Sequence, residues 1–168
     1  MLRNRKFTLP YALFFLYCLF IVWCVLFKTA FTFREIAEMF QSDRPRSLNL
    51  IPFYYDCDVS VRFHINEVLL NVLLFFPFGI YLKMLDIPIR KAVLTGFLFS
   101  LILEFCQFVF ALGACDITDL ITNTAGTAAG AVLYHLTLFL FKDRRKLHKV
   151  LRILASSATV LLGSLILM

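Results

Sequence analysis

Charge is in short supply in this sequence: 17% of its 168 residues are Asp, Glu, Lys or Arg, where soluble globular domains carry about 25%. That shortage excludes an ordinary water-soluble domain, whose surface needs the missing side chains. Chemical signatures are missing as well. There is no Gly-rich phosphate loop, no Ser elbow, no Cys-x-x-Cys pair and no His set beside a nucleophile, which excludes the common nucleotide, hydrolase and zinc motifs. No cofactor and no metal centre is expected. Cys18, Cys24 and Cys106 lie inside apolar runs, where a thiol behaves as a small hydrophobe. Cys57 and Cys115 fall in loops; two free thiols are the expectation, and a bridge between them is the alternative.

What is present is apolar length. Hydrophobic residues make up 61% of the chain and mean hydropathy is +0.83. Five runs stand out, at 9–27, 67–85, 91–113, 119–141 and 150–168, each near the roughly 20 residues that cross a bilayer as a helix. The expected fold is all-α: a polytopic integral membrane helical bundle of about five transmembrane helices, forming a single domain over residues 1–168. The first run follows Arg3, Arg5 and Lys6 as a secretory signal would, but it exceeds an h-region and lacks a small-x-small site, so an uncleaved span is expected. Residues 28–66 form the long loop, in which Phe31 to Phe40 reads as a short interfacial helix.

The net charge of +6 does not point to nucleic acid, because the basic residues form short blocks between apolar runs. Twelve of the 17 basic residues fall on one side: Arg3, Arg5, Lys6, then Lys83, Arg90, Lys91, then the six from Lys142 to Arg152. Cytoplasmic loops are enriched in Lys and Arg, so that side, with the N-terminus, is expected in the cytoplasm. The loop at 28–66 then lies outside, and with Glu67, Asp116 and Asp119 counted in, the outer side is mildly acidic.

Polar residues recur within the runs. A carboxylate in hydrocarbon costs a few kcal/mol, so Glu104 should face other helices or a wet cavity, and Gln107 at i+3 shares its face. One reading is interhelical glue; the other is a site. Asn71, Glu104 and Asn123 come at similar depths, roughly 7–12 Å inside the outer edge at about 1.5 Å per residue. Asp119, Asn123, Gly126 and Gly130 follow one helical stripe, and Glu67 and Asn71 are one turn apart. Gly126-x-x-x-Gly130 reads as a packing seam, and Pro77-Phe78-Gly79 as a kink or break toward the end of the second run. Asp116 or Thr118 can cap the fourth helix, with Asp119 favoured by its N-terminal dipole. Glu104, Asp116 and Asp119 are the candidate acid–base groups if a reaction occurs, though no spacing here is diagnostic of catalysis or of a divalent cation.

With these residues in view, the sequence resembles the VanZ family of glycopeptide (teicoplanin) resistance membrane proteins. The resemblance rests on Trp23-Cys-Val-Leu-Phe-Lys28, on Arg46-Ser-Leu-Asn49-Leu-Ile-Pro52-Phe53, and on Asn71 with Pro77-Phe78-Gly79. Its strongest part is Glu104-Phe-Cys-Gln107 leading into Ala111-Leu-Gly-Ala-Cys-Asp116-Ile-Thr-Asp119-Leu-Ile-Thr-Asn123-Thr-Ala-Gly126. Many relatives carry an Arg shortly before the Asp-x-x-Asp turn, where this chain has Leu112-Gly113-Ala114.

The resemblance implies a Gram-positive, multi-pass protein of the bacterial cytoplasmic membrane that lowers susceptibility to teicoplanin, and it implies no known reaction. On this reading Arg46, Asn49, Asn71, Glu104, Gln107, Asp116, Asp119 and Asn123 line an outward cavity. Its ligand would be a membrane lipid, a lipid-linked peptidoglycan precursor or the lipoglycopeptide itself. The alternative is an intramembrane enzyme acting on a lipid-linked substrate. The topology has its own check: Cys57 and Cys115, unless bridged, are expected to react with an impermeant thiol reagent in whole cells. Labelling of both only after permeabilisation would overturn the orientation.

Overall fold

A computed structural model describes residues 5–27, 34–35, 37–38, 45–54, 60–141 and 150. The expected fifth run, the interfacial helix near Phe31 to Phe40 and Cys57 lie largely or wholly outside those residues. Among them the protein is mostly helical, with four helices: α1 (Arg5–Leu26), α2 (Val61–Met84), α3 (Ile89–Phe110) and α4 (Ile117–Phe141). Two short strands, β1 (Ser47–Asn49) and β2 (Ala114–Asp116), pair in parallel, with Asn49 opposite Asp116. The expectation of an all-α chain is corrected by this pair. Three-residue strands carry too little alternation to be read as strands in a sequence.

Local chemistry sets the helix ends. Ser60 caps α2 by accepting the Phe63 N–H through Oγ at 3.3 Å. α2 then continues through Pro77 as one helix to Met84, with Lys83 in its last turn. α3 ends at Ala111, which takes the left-handed conformation (φ 52°). The N–H of Leu112 donates to the Gln107 carbonyl at 3.0 Å and that of Ala111 to Phe108 at 3.4 Å. This is a Schellman turn without its usual glycine.

α2 and α4 share the most extensive interface. Gly126 and Gly130 lie against the backbone carbonyls of Val72 and Phe76, and Gly79 lies against that of Thr127. A Cβ at any of the three would overlap main-chain atoms, so these helices touch backbone to backbone. α1 packs on α2 through rings: Phe14 stacks on Phe78 at 5.6 Å between centroids, and the Tyr17 hydroxyl donates to the Leu74 carbonyl at 2.6 Å.

Polar side chains of the helices are buried while many large apolar ones face outward. Gln107, Ser100 and Thr127 are 0% exposed and Glu104 and Asn123 1%, while Phe139 and Leu140 are 78% and 72% exposed. α2 and α3 are each long and apolar enough to cross a membrane. Phe75, Ile21 and Leu82 are buried as well, but in lipid apolar side chains gain little by hiding from their surroundings, and it is the polar side chains of the helices that are drawn inside to hydrogen-bonding partners.

Replacing Gly130 by Leu is expected to push α2 and α4 apart and destabilise the protein by about 1–3 kcal/mol, the usual cost of overpacking. A thermal scan in detergent micelles should show a lower Tm. Ala129→Leu, at an exposed position of the same helix, should leave it unchanged.

Candidate functional site

The site begins with a reversal of the chain. After α3 the backbone turns at Ala111 and runs back beside the helix, where the Asp116 N–H donates to Glu104 Oε2 at 2.9 Å. Glu104 stands six residues before Phe110, the last residue of α3, a drop of about 9 Å at 1.5 Å per residue. α4 therefore starts well below the end of α3.

Asp116 organises that start. Its Oδ1 accepts the Thr118 N–H at 2.7 Å, an N-cap for α4, and its Oδ2 accepts from Asn49 Nδ2 at 3.0 Å. Asn49 Oδ1 in turn accepts the Ile51 N–H at 3.2 Å, and Thr118 Oγ1 accepts the Phe53 N–H at 2.9 Å. The segment from β1 to Phe53 is thus fastened to the first turn of α4 largely by side chains. Asp119, in that same turn, accepts from Asn71 Nδ2 of α2 at 2.7 Å. Both aspartates also lie at the positive end of the α4 dipole.

These contacts frame a shallow cleft lined by Phe53 and Tyr54 from the loop, His64, Glu67 and Val68 from α2, and Asp116, Thr118 and Asp119 from α4 and its approach. His64 Nδ1 is 3.7 Å from Glu67 Oε2. Carboxylates outnumber the one imidazole on the lining, so the cleft suits ligands that donate hydrogen bonds or carry positive charge. Nearby, the Cys115 thiol titrates above an ordinary cysteine, first because it is partly buried and then because Glu104, Asp116 and Asp119 repel the thiolate. Among the described residues no three His, Cys, Asp or Glu side chains converge to hold a metal ion.

The profile of the VanZ/LLP1 family matches residues 14–162. Protein VanZ of Enterococcus faecium is 38% identical over 127 residues, which covers 73% of this chain and 71% of that protein. The chain belongs to the VanZ/LLP1 family. No solved structure matches it.

In this VanZ-family chain the expected site residues separate into three groups. Asp116 and Asp119 line the cleft, and Asn49, Asn71 and Glu104 hold them from behind. Three residues lie elsewhere. Asn123 is one turn deeper, donating to Ser100 Oγ at 3.0 Å, and Gln107 donates to the Val25 carbonyl at 2.8 Å, tying α3 to α1. Gln107 Oε1 and Asn123 Oδ1 are buried with no donor among the described residues. Arg46, immediately before β1, is exposed and off the cleft lining.

The residues that sequence reasoning passed over are His64 and Glu67 as cleft walls, and Phe53 and Tyr54. A signal for the first two existed: His64, Glu67 and Asn71 step by three and four along one face of α2. Nothing local marks Phe53 or Tyr54, which reach the cleft only because Thr118 holds the loop.

Glu104→Leu should leave the partly buried Asp116 N–H without an acceptor and destabilise the protein by about 1–3 kcal/mol. Glu104→Gln retains an acceptor oxygen and should keep most of that stability. Equal losses in thermal scans of the two variants would show that this hydrogen bond is not the clamp.

Proposed function

We propose that this chain is a multi-pass protein of the bacterial cytoplasmic membrane. It has five spans, a cytoplasmic N-terminus and the Asp116–Asp119 cleft on the outer face. Its function is to lower susceptibility to teicoplanin-type lipoglycopeptides by binding or altering a lipid or lipid-linked cell-wall component in that cleft.

The observation that carries this reading is the placing of buried acids and amides inside a bundle whose outside is Phe, Leu and Ile. A polar cleft at one end of such a bundle is a place where a membrane component can be met. The orientation rests on the Lys and Arg blocks of the sequence, of which Lys83, Arg90 and Lys91 stand at the junction of α2 and α3, the opposite end from the cleft. The family adds the link to glycopeptides. Binding is favoured over acid–base chemistry because Asp116 is held as a structural cap, with Oδ1 on the Thr118 N–H and Oδ2 on Asn49, and the chain carries no spacing diagnostic of catalysis.

The test is drug susceptibility in a teicoplanin-susceptible Gram-positive host expressing the chain. Asp119→Asn and Glu67→Gln, present in the membrane at wild-type levels, are expected to return susceptibility to that of the host with empty vector. Full protection from both variants would overturn the cleft as the working site. Incubating the purified protein with lipid-linked precursor and reading the mixture by mass spectrometry should return the precursor unchanged; a reproducible new product would establish the enzymatic alternative.

A further inference from the structure

The segment from Leu48 to Tyr54 is apolar and uncovered. Leu48, Leu50, Ile51, Phe53 and Tyr54 are between 43% and 64% exposed. Yet its backbone is not loose: β1 pairs with β2, Asn49 caps Ile51, and Thr118 holds Phe53. Rigidly held aromatic and aliphatic side chains facing outward are an unfavourable surface in water.

Their depth identifies what surrounds them. β2 runs back along α3 until Asp116 reaches Glu104, and β1 runs parallel to it with Asn49 opposite Asp116. Residues 50–54 therefore lie at the level of Glu104 and the first turn of α4, about 9 Å below the end of α3. On α3 at that level Phe105 is 64% exposed and Leu101 42%, and these belong to the apolar outside of the bundle. The exposed side chains of the loop extend that belt. Arg46, exposed just before β1 descends, stands where an anionic headgroup phosphate would meet it.

We infer that residues 48–54 form a wedge immersed in the outer leaflet, so that the cleft opens sideways into lipid and not upward into water. Phe53 and Tyr54 are wedge and cleft wall at once. A ligand then arrives by lateral diffusion as an amphiphile: its tail stays in the leaflet, and a head bearing hydroxyl, amide or ammonium donors meets Glu67, Asp116 and Asp119. This inference rests on the outward, membrane-embedded reading above.

Trp23 is the single tryptophan of the chain, which makes fluorescence a direct probe. In a Trp23→Phe background, Ile51→Trp, Leu50→Trp and, as a lipid-facing reference, Phe139→Trp are reconstituted in phosphatidylcholine–phosphatidylglycerol vesicles with and without brominated acyl chains. Brominated lipid is expected to quench positions 50 and 51 about as strongly as 139, and aqueous iodide to quench them little. Strong iodide quenching with no effect of brominated lipid would overturn the wedge, and so would protection from both quenchers, which would place a protein partner or a second copy on the segment. The two proposals fail separately. Iodide access with resistance still dependent on Asp119 removes only lateral entry, whereas lipid quenching with resistance indifferent to Asp119→Asn removes only the cleft's function.

Discussion

Glu104 is nearly fully buried, and what it accepts is a backbone N–H from a chain that has turned back on itself. A chain leaving α3 has no local reason to descend beside it. The turn at Ala111 places a non-glycine residue in left-handed space, at a cost of about 1–2 kcal/mol, which the Schellman hydrogen bonds and the bond to Glu104 offset. Once Asp116 is held there, α4 must begin about 9 Å down the bundle. Its first turn then presents Asp116 and Asp119 together, with Asp116 accepting the Thr118 N–H of that turn. β1, the loop after it and the wall of the cleft are all fastened to that first turn. The buried Glu104 is thus a structural anchor, while Asp116 and Asp119 beside it line the cleft.

Below that level the bundle is held by a different device. α2 and α4 approach so closely through Gly79, Gly126 and Gly130 that main-chain atoms are in contact. Where the surroundings are as apolar as the side chains, close contact and interhelical hydrogen bonds replace the hydrophobic effect as the source of association. The Ser100–Asn123 and Gln107–Val25 hydrogen bonds belong to this layer. They secure the base on which the cleft stands.

Periodicity in the sequence carried the helices, the packing seam and the pairing of Glu67 with Asn71 on one face. It also singled out Glu104, Asp116 and Asp119, because charge in an apolar setting is conspicuous. The common depth inferred for Asn71, Glu104 and Asn123 was only partly legible. α2 begins at Val61, earlier than its apolar run, so Asn71 meets Asp119 and not Asn123. Ser60 and the polar first turns of α2 concealed that start, since a helix that rises out of the apolar layer no longer needs apolar residues. The β1–β2 pair was not legible at all, for its partners are 67 residues apart, from Asn49 to Asp116.

Residue type and spacing alone therefore determined the solvent this protein is built for, the helices that answer to it, the seam that joins two of them and the family to which it belongs. Helical periodicity and hydropathy are local properties, readable within a few turns. Which acids line the cleft and which are anchors was decided only by tertiary structure. So was the depth at which Phe53 and Tyr54 stand, because both depend on one hydrogen bond that folds the chain back along α3.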